Sequence, residues 1–177
     1  MLQTYDPKNK DLLVFLDGKL IHRDQAGVSP FDSTVQNGDS CWEGLRLYEG
    51  KIFKLEEHLD RLFKSAAMLR YEGLPERGEV IEALRQTLAA NEMSDGVHIR
   101  LILSRGLKYT SGLDPRINTK GCSLFILAEH KPPVYGSAGL HLATAQHRRP
   151  FADVLDQRIH SSNQLTSILA KLSLIHI

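Results

Sequence analysis

VQNGDSCWEGLRLYEGKIFKLEEHLDRL, residues 35–62, is the stretch whose reading decides the fold. Cys41–Tyr48 reads as a strand, Glu49-Gly50 is a tight-turn pair, and Lys51–Lys54 returns, which predicts a hairpin. The chain then runs directly into LEEHLDRLFKSAAML, residues 55–69. There Leu55, Leu59, Leu62, Phe63, Ala66 and Leu69 fall on one helical face. A half-buried hairpin feeding an amphipathic helix must bury both apolar faces against each other. Taken with the hairpins, helices and strands on either side, that order predicts an α+β class.

Working outward, residues 12–16 (LLVFL) and 19–23 (KLIHR) read as a first hairpin turning at Asp17-Gly18. Downstream, residues 79–91 carry a second amphipathic helix through Val80, Ile81, Leu84 and Leu88. Val97–Ser104 and Cys122–Ala128 are strand candidates, separated by the polar loop GLKYTSGLDPRINTK. KPPVYGSAG, residues 131–139, has linker composition and marks a domain boundary. Beyond it Leu140–Ala145 reads as a strand. Ser161-Ser162-Asn163-Gln164 has capping-box spacing ahead of a helix through Leu165, Ile168, Leu169 and Leu172. One strand and one helix are too little to bury a core. The expected organisation is therefore a small N-terminal domain over 1–130, a linker, and only the beginning of a larger domain over 140–171.

The bulk composition narrows the function classes. Of 177 residues, 42% are hydrophobic and 24% charged, with a formal charge of +1, so neither disorder nor a polyanionic partner is indicated. No apolar run approaches the ~18–20 residues of a membrane span. MLQTYDPKNK lacks the apolar centre of a signal peptide. Cys41 and Cys122 are the only cysteines, and the histidines show no metal-ligand spacing, so no metal is expected. The expectation is a cytoplasmic protein with small-molecule partners, no nucleic acid and no membrane.

Four blocks in series resemble the class IV pyridoxal-phosphate-dependent aminotransferases, of branched-chain type. They are residues 35–62, HIRLILSRG at 98–106, SGLDPR at 111–116 and LDQRIHSSNQLTSILAKL at 155–172. The resemblance implies a two-domain subunit, a homodimer, pyridoxal 5′-phosphate held between the domains, and transfer of an amino group between an amino acid and a 2-oxo acid. It implies that Arg61 grips the cofactor phosphate, a task suited to a planar guanidinium fork. Read from pattern alone, Arg61 lies on a solvated helix face paired with Glu57. Trp42 would line the substrate side-chain pocket, or be an ordinary core aromatic. Arg100 would hold a substrate carboxylate, or face water from an edge strand. Asn37 and His98 stand where branched-chain members commonly carry substrate-lining tyrosines.

The departure that matters is His160. RIHSSNQL is similar to a family segment RIKSxNxL, whose catalytic lysine binds the cofactor covalently and moves the proton. Imidazole can transfer protons near neutrality but has no primary amine to condense with an aldehyde. Lys171 lies about 16 Å further along a helix at 1.5 Å per residue, too far to substitute. The resemblance also places the carboxylate under the pyridine nitrogen, and the amides completing the phosphate cup, beyond this chain. The final LSLIHI, residues 172–177, reads as a non-native tail such as a sequencing adapter end would encode. The leading expectation is thus an incomplete branched-chain aminotransferase with histidine at the lysine position. The alternatives are a lysine-less relative that binds the cofactor or a partner subunit without transaminating, and a D-amino acid transaminase or aminodeoxychorismate-lyase-like activity of the same class.

Overall fold

The computed structural model describes residues 4–133, 139 and 142–174. Two hairpins open the chain: β1 (Leu13–Leu16) with β2 (Lys19–His22), and β3 (Ser40–Tyr48) with β4 (Lys51–Ile52), joined through a short helix α1 (Ser33–Asn37). Helices α2 (Leu55–Met68) and α3 (Arg77–Ala90) follow, then strands β5 (Val97–Ser104) and β6 (Ser123–His130). Far along the chain comes α4 (Leu165–Leu172). The strands form one sheet in the order β2-β1-β6-β5-β3-β4, with every neighbour antiparallel.

Both hairpins turn where expected. Asp17 and Gly18 have φ of 46° and 84°, Glu49 and Gly50 have 46° and 75°. Two successive positive φ values give the turn hand that matches strand twist. Strand alternation then sorts the side chains. Cys41, Leu45 and Leu47 of β3 and Val97, Ile99, Leu101 and Leu103 of β5 are buried on one face. Leu59, Leu62 and Ala66 of α2 and Val80, Ala83 and Leu84 of α3 belong to the same core. On the opposite face, β3 and β5 present Trp42, Gly44, Arg46, His98, Arg100 and Ile102, all half-buried.

The C-terminal segment returns to this sheet. β4 pairs with β3 only at Leu47 and Tyr48, which leaves the start of β3 with a free edge. Residues 160–162 close it: the Trp42 amide donates to the His160 carbonyl at 3.0 Å, and the Ser162 amide to the Ser40 carbonyl at 2.8 Å. The Ser65 hydroxyl of α2 accepts from the His160 amide at 3.0 Å, tying the segment to the helix layer as well.

The structure corrects the sequence reading in several places. Residues 142–145 form no strand, while Leu140 and His141 lie outside the described residues, as do 134–138 of the expected linker and 175–177 of the expected tail. Helix α4 has no capping box: Gln164 is its N-cap and makes no side-chain cap bond, because Ser161 instead accepts from the Asn163 amide at 3.1 Å. A capping box does form one helix earlier, between Glu76 and Glu79 of α3. Helix α1 was not expected. Asp32 caps it by accepting from the Thr34 amide, and Gly38 ends it at φ 65°. Among the described residues no helix is long and apolar enough to cross a membrane.

Candidate active site

Glu43 is the centre of the site, and strand alternation puts it there. It follows Cys41 and precedes Leu45 on the core-facing side of β3, and its side chain is 0% exposed. A carboxylate so placed requires partners. Arg61 supplies two: Nε donates to Oε1 at 2.8 Å and Nη2 to Oε2 at 2.5 Å. His58, three residues earlier on the same face of α2, places Nδ1 2.7 Å from Oε2. His160, arriving with the edge-closing segment, places Nδ1 3.2 Å from Oε1. Burial pushes the Glu43 carboxyl up, but the hydrogen bonds from Arg61, His160 and His58 outweigh it and hold its pKa at about 2, against an ordinary 4.5. Through the same pairing Glu43 pushes the Arg61 guanidinium up.

Because His160 sits at the strand edge, it reaches both faces of the sheet. While Nδ1 faces Glu43 on one side, the ring stacks on Trp42 on the other, centroids 4.5 Å apart. The Trp42 indole N–H donates to the Ser161 carbonyl at 3.1 Å, which fixes the ring. The Arg100 guanidinium lies over the indole at 4.1 Å from the centroid. No carboxylate pairs with Arg100 among the described residues, and burial pushes its pKa down. His98, beside it on β5, is also pushed down, by burial and then by the positive charges of Lys131 and Arg46. Gly44 faces Arg100 across the strand pair, and a Cβ there would stand 3.4 Å from the Trp42 ring and 3.6 Å from His98 Nε2. A larger side chain would fill the floor between them.

Of the expected site residues, the structure brings Arg61, Trp42, Arg100 and His160 into one connected cluster, with His98 on the same sheet face as Trp42 and Arg100. It does not join Asn37 to them. Asn37 ends α1 and accepts from the buried Lys108 amine, which also donates to the Gly112 carbonyl at 2.6 Å. Arg61 is not the partner of Glu57, which instead lies 3.5 Å from Lys54. Lys171 is exposed on α4. Two residues were missed, Glu43 and His58. The available signals were a carboxylate in the core-facing alternation of β3 and the His58-Arg61 spacing on α2. Neither cysteine is poised as a nucleophile: burial pushes Cys41 to about 12 and Cys122 to about 11.

Residues 40–175 match the family described as amino-transferase class IV. The chain belongs to the class IV aminotransferases. Within that family, the branched-chain-amino-acid aminotransferase-like protein 1 of Arabidopsis thaliana is 54% identical over 167 residues, covering 94% of this chain and 30% of that protein. The solved T.th. branched-chain amino acid aminotransferase with pyridoxamine 5′-phosphate superposes with a TM-score of 0.80 at 26% identity, over 92% of this chain and 55% of that one. The branched-chain aminotransferase of Thermoproteus uzoniensis has the same fold, with a TM-score of 0.77 at 22% identity, over 92% and 55% of the two chains. This class IV chain therefore spans about half the length of its solved relatives and less than a third of the plant relative.

Proposed function

We propose that this chain contributes the small domain, and the start of the cofactor domain, to a pyridoxal-phosphate-dependent transaminase. In the full-length polypeptide, taken as a cytoplasmic homodimer, it would serve the exchange of an amino group between a branched-chain amino acid and a 2-oxo acid once a lysine stands at position 160. The domain boundary is placed at residues 131–139. The observation that carries the reading is the convergence of Arg61, Trp42, Arg100 and His160 from separate parts of the sequence around Glu43. The pyridoxamine 5′-phosphate in the solved T.th. relative supports the cofactor assignment.

The residues fit such a cofactor in one respect and not in another. Arg61 spends Nε and Nη2 on Glu43, and Nη1 has no partner among the described residues, with 49% of the side chain exposed. That free end suits a phosphate oxygen. Covalent attachment is another matter. No lysine bonds to any member of the cluster among the described residues, and His160 offers only ring nitrogens. When bound, the cofactor would supply an electron sink. The chain's own groups would do the rest: Arg61 holds the phosphate end, and Trp42 walls the side-chain pocket. Arg100 holds a carboxylate, with His98 and Asn37 as further polar contacts.

A second reading has specific support. His160 is locked by Glu43, by Trp42 and by its own backbone bonds, as a settled residue is, which favours a relative that binds the cofactor without transaminating. One experiment separates the two. The full-length polypeptide is loaded with pyridoxal 5′-phosphate, reduced with borohydride and dialysed, to read covalent retention. A second, unreduced sample is assayed with leucine and 2-oxoglutarate. Both are done with His160 and with His160→Lys. Expected are exchangeable cofactor and negligible turnover with histidine, and retained cofactor with turnover for the lysine variant. Turnover without rescue by lysine would overturn the role given to position 160. Absence of turnover in both would leave the non-transaminating reading standing.

A further inference from the structure

Glu43 is saturated. Its two oxygens accept from Arg61 twice, from His58 and from His160, which fills the roughly four lone-pair sites a carboxylate has. It is wholly buried and ionised, and an ionised carboxylate only accepts. Each imidazole facing it must therefore carry its proton on Nδ1. For neutral His160 this leaves the lone pair on Nε2, which takes part in no hydrogen bond among the described residues while 28% of the side chain is open to solvent.

A purely structural role explains less than is present. An apolar residue would continue the Cys41–Leu45–Leu47 row at lower desolvation cost, and a buried ion pair is weak evidence of stabilisation. Arg61 alone satisfies both oxygens. Two further imidazoles, one 15 positions away in sequence and one 117, are not needed for that.

We propose that Glu43 is the positioning residue of this site: it fixes the tautomer and ring plane of His160 and aims the free Nη1 end of Arg61. The chain then offers a proton-accepting ring nitrogen beside the indole and an unspent guanidinium end for an anion. The inference rests on the reading of Arg61 and His160 as cofactor-facing, and it adds the group that sets them.

The test is spectroscopic and uses the whole 177-residue chain. Histidine is labelled with ¹⁵N, and long-range ¹H–¹⁵N correlations are recorded at neutral pH, with the His160 signals identified by their loss in His160→Gln. Expected is a His160 protonated at Nδ1 and bare at Nε2. In Glu43→Gln, whose amide can also donate, the population should move toward the Nε2–H form that free histidine favours. His58→Gln should leave His160 unchanged. A wild-type His160 protonated at Nε2 overturns the proposal even where the glutamine variant does not fold, and so does an unshifted tautomer in Glu43→Gln. Pyridoxamine 5′-phosphate is then titrated into the labelled full-length polypeptide. If the tautomer depends on Glu43 but no histidine signal moves with this compound, the cofactor reading fails while the positioning role stands.

Discussion

A carboxyl whose pKa falls from 4.5 to about 2 on folding links stability to pH in one direction only. The contribution of Glu43 is complete above roughly pH 5 and is lost as pH falls through 4.5 toward 2. Glu43→Gln should therefore lower stability at pH 7 by about 3 kcal/mol, since it leaves Arg61 and two imidazoles facing a neutral group. The deficit should shrink below pH 4, and urea denaturation at several pH values measures it. Trp42→Phe keeps the aromatic between Arg100 and His160 but loses the indole bond to the Ser161 carbonyl; the expected cost is about 1 kcal/mol by the same method. Arg61, Trp42, Arg100 and His160 were legible because each sits in a block that resembles a family motif. Glu43 lies in one of those blocks too, but its role was not legible, because nothing local names partners at positions 58, 61 and 160 for a carboxylate in the core-facing row of β3. Asn37 is the reverse case, a position carried by resemblance whose bonds lead to Lys108 instead.

The two hairpins and three of the four helices were legible because each depends on its own residues: a tight-turn pair for a hairpin, a 3.6-residue apolar period for a helix. Helix α1 was not, since its five residues are too few to show a period and Val35 is their sole large apolar residue. The closing of the β3 edge by residues 160–162 was equally invisible, because backbone pairing across so many residues leaves no mark in composition. That closure can be probed at one atom. Proline has no N–H, so Ser162→Pro removes the 2.8 Å bond to the Ser40 carbonyl. Amide exchange at Trp42 should rise by at least about tenfold as its acceptor, the His160 carbonyl, is released, while the central amide of Leu101 keeps its protection. Unchanged exchange at Trp42 would show that the Ser65 anchor holds the segment unaided.

For the molecule as a whole, the sheet and its two covering helices form one core, and the residues beyond it are attached at few points. Phe151 and Val154 are 78% and 75% exposed, in a stretch from 142 to 158 without helix or strand. Proteinase K should cut first in the exposed stretch 142–149 and trim the product to a resistant N-terminal core that ends near the proposed boundary at 131–139. Equal resistance throughout, read by mass spectrometry, would argue against that division. On α4, Leu165, Ile168 and Leu172 are more than half exposed. Ile168→Glu with Leu172→Glu should therefore raise solubility with little change in melting temperature.

The sheet edge at Ser40–Trp42 has a consequence for biosynthesis. A ribosome releases this strand long before it releases residues 160–162, so the nascent domain can assemble around its leucine core with one half-strand still unpaired. Until the late segment emerges, that margin is a template for any passing extended peptide, including the same stretch on a neighbouring polysome. Slow elongation between the two would lengthen the hazard.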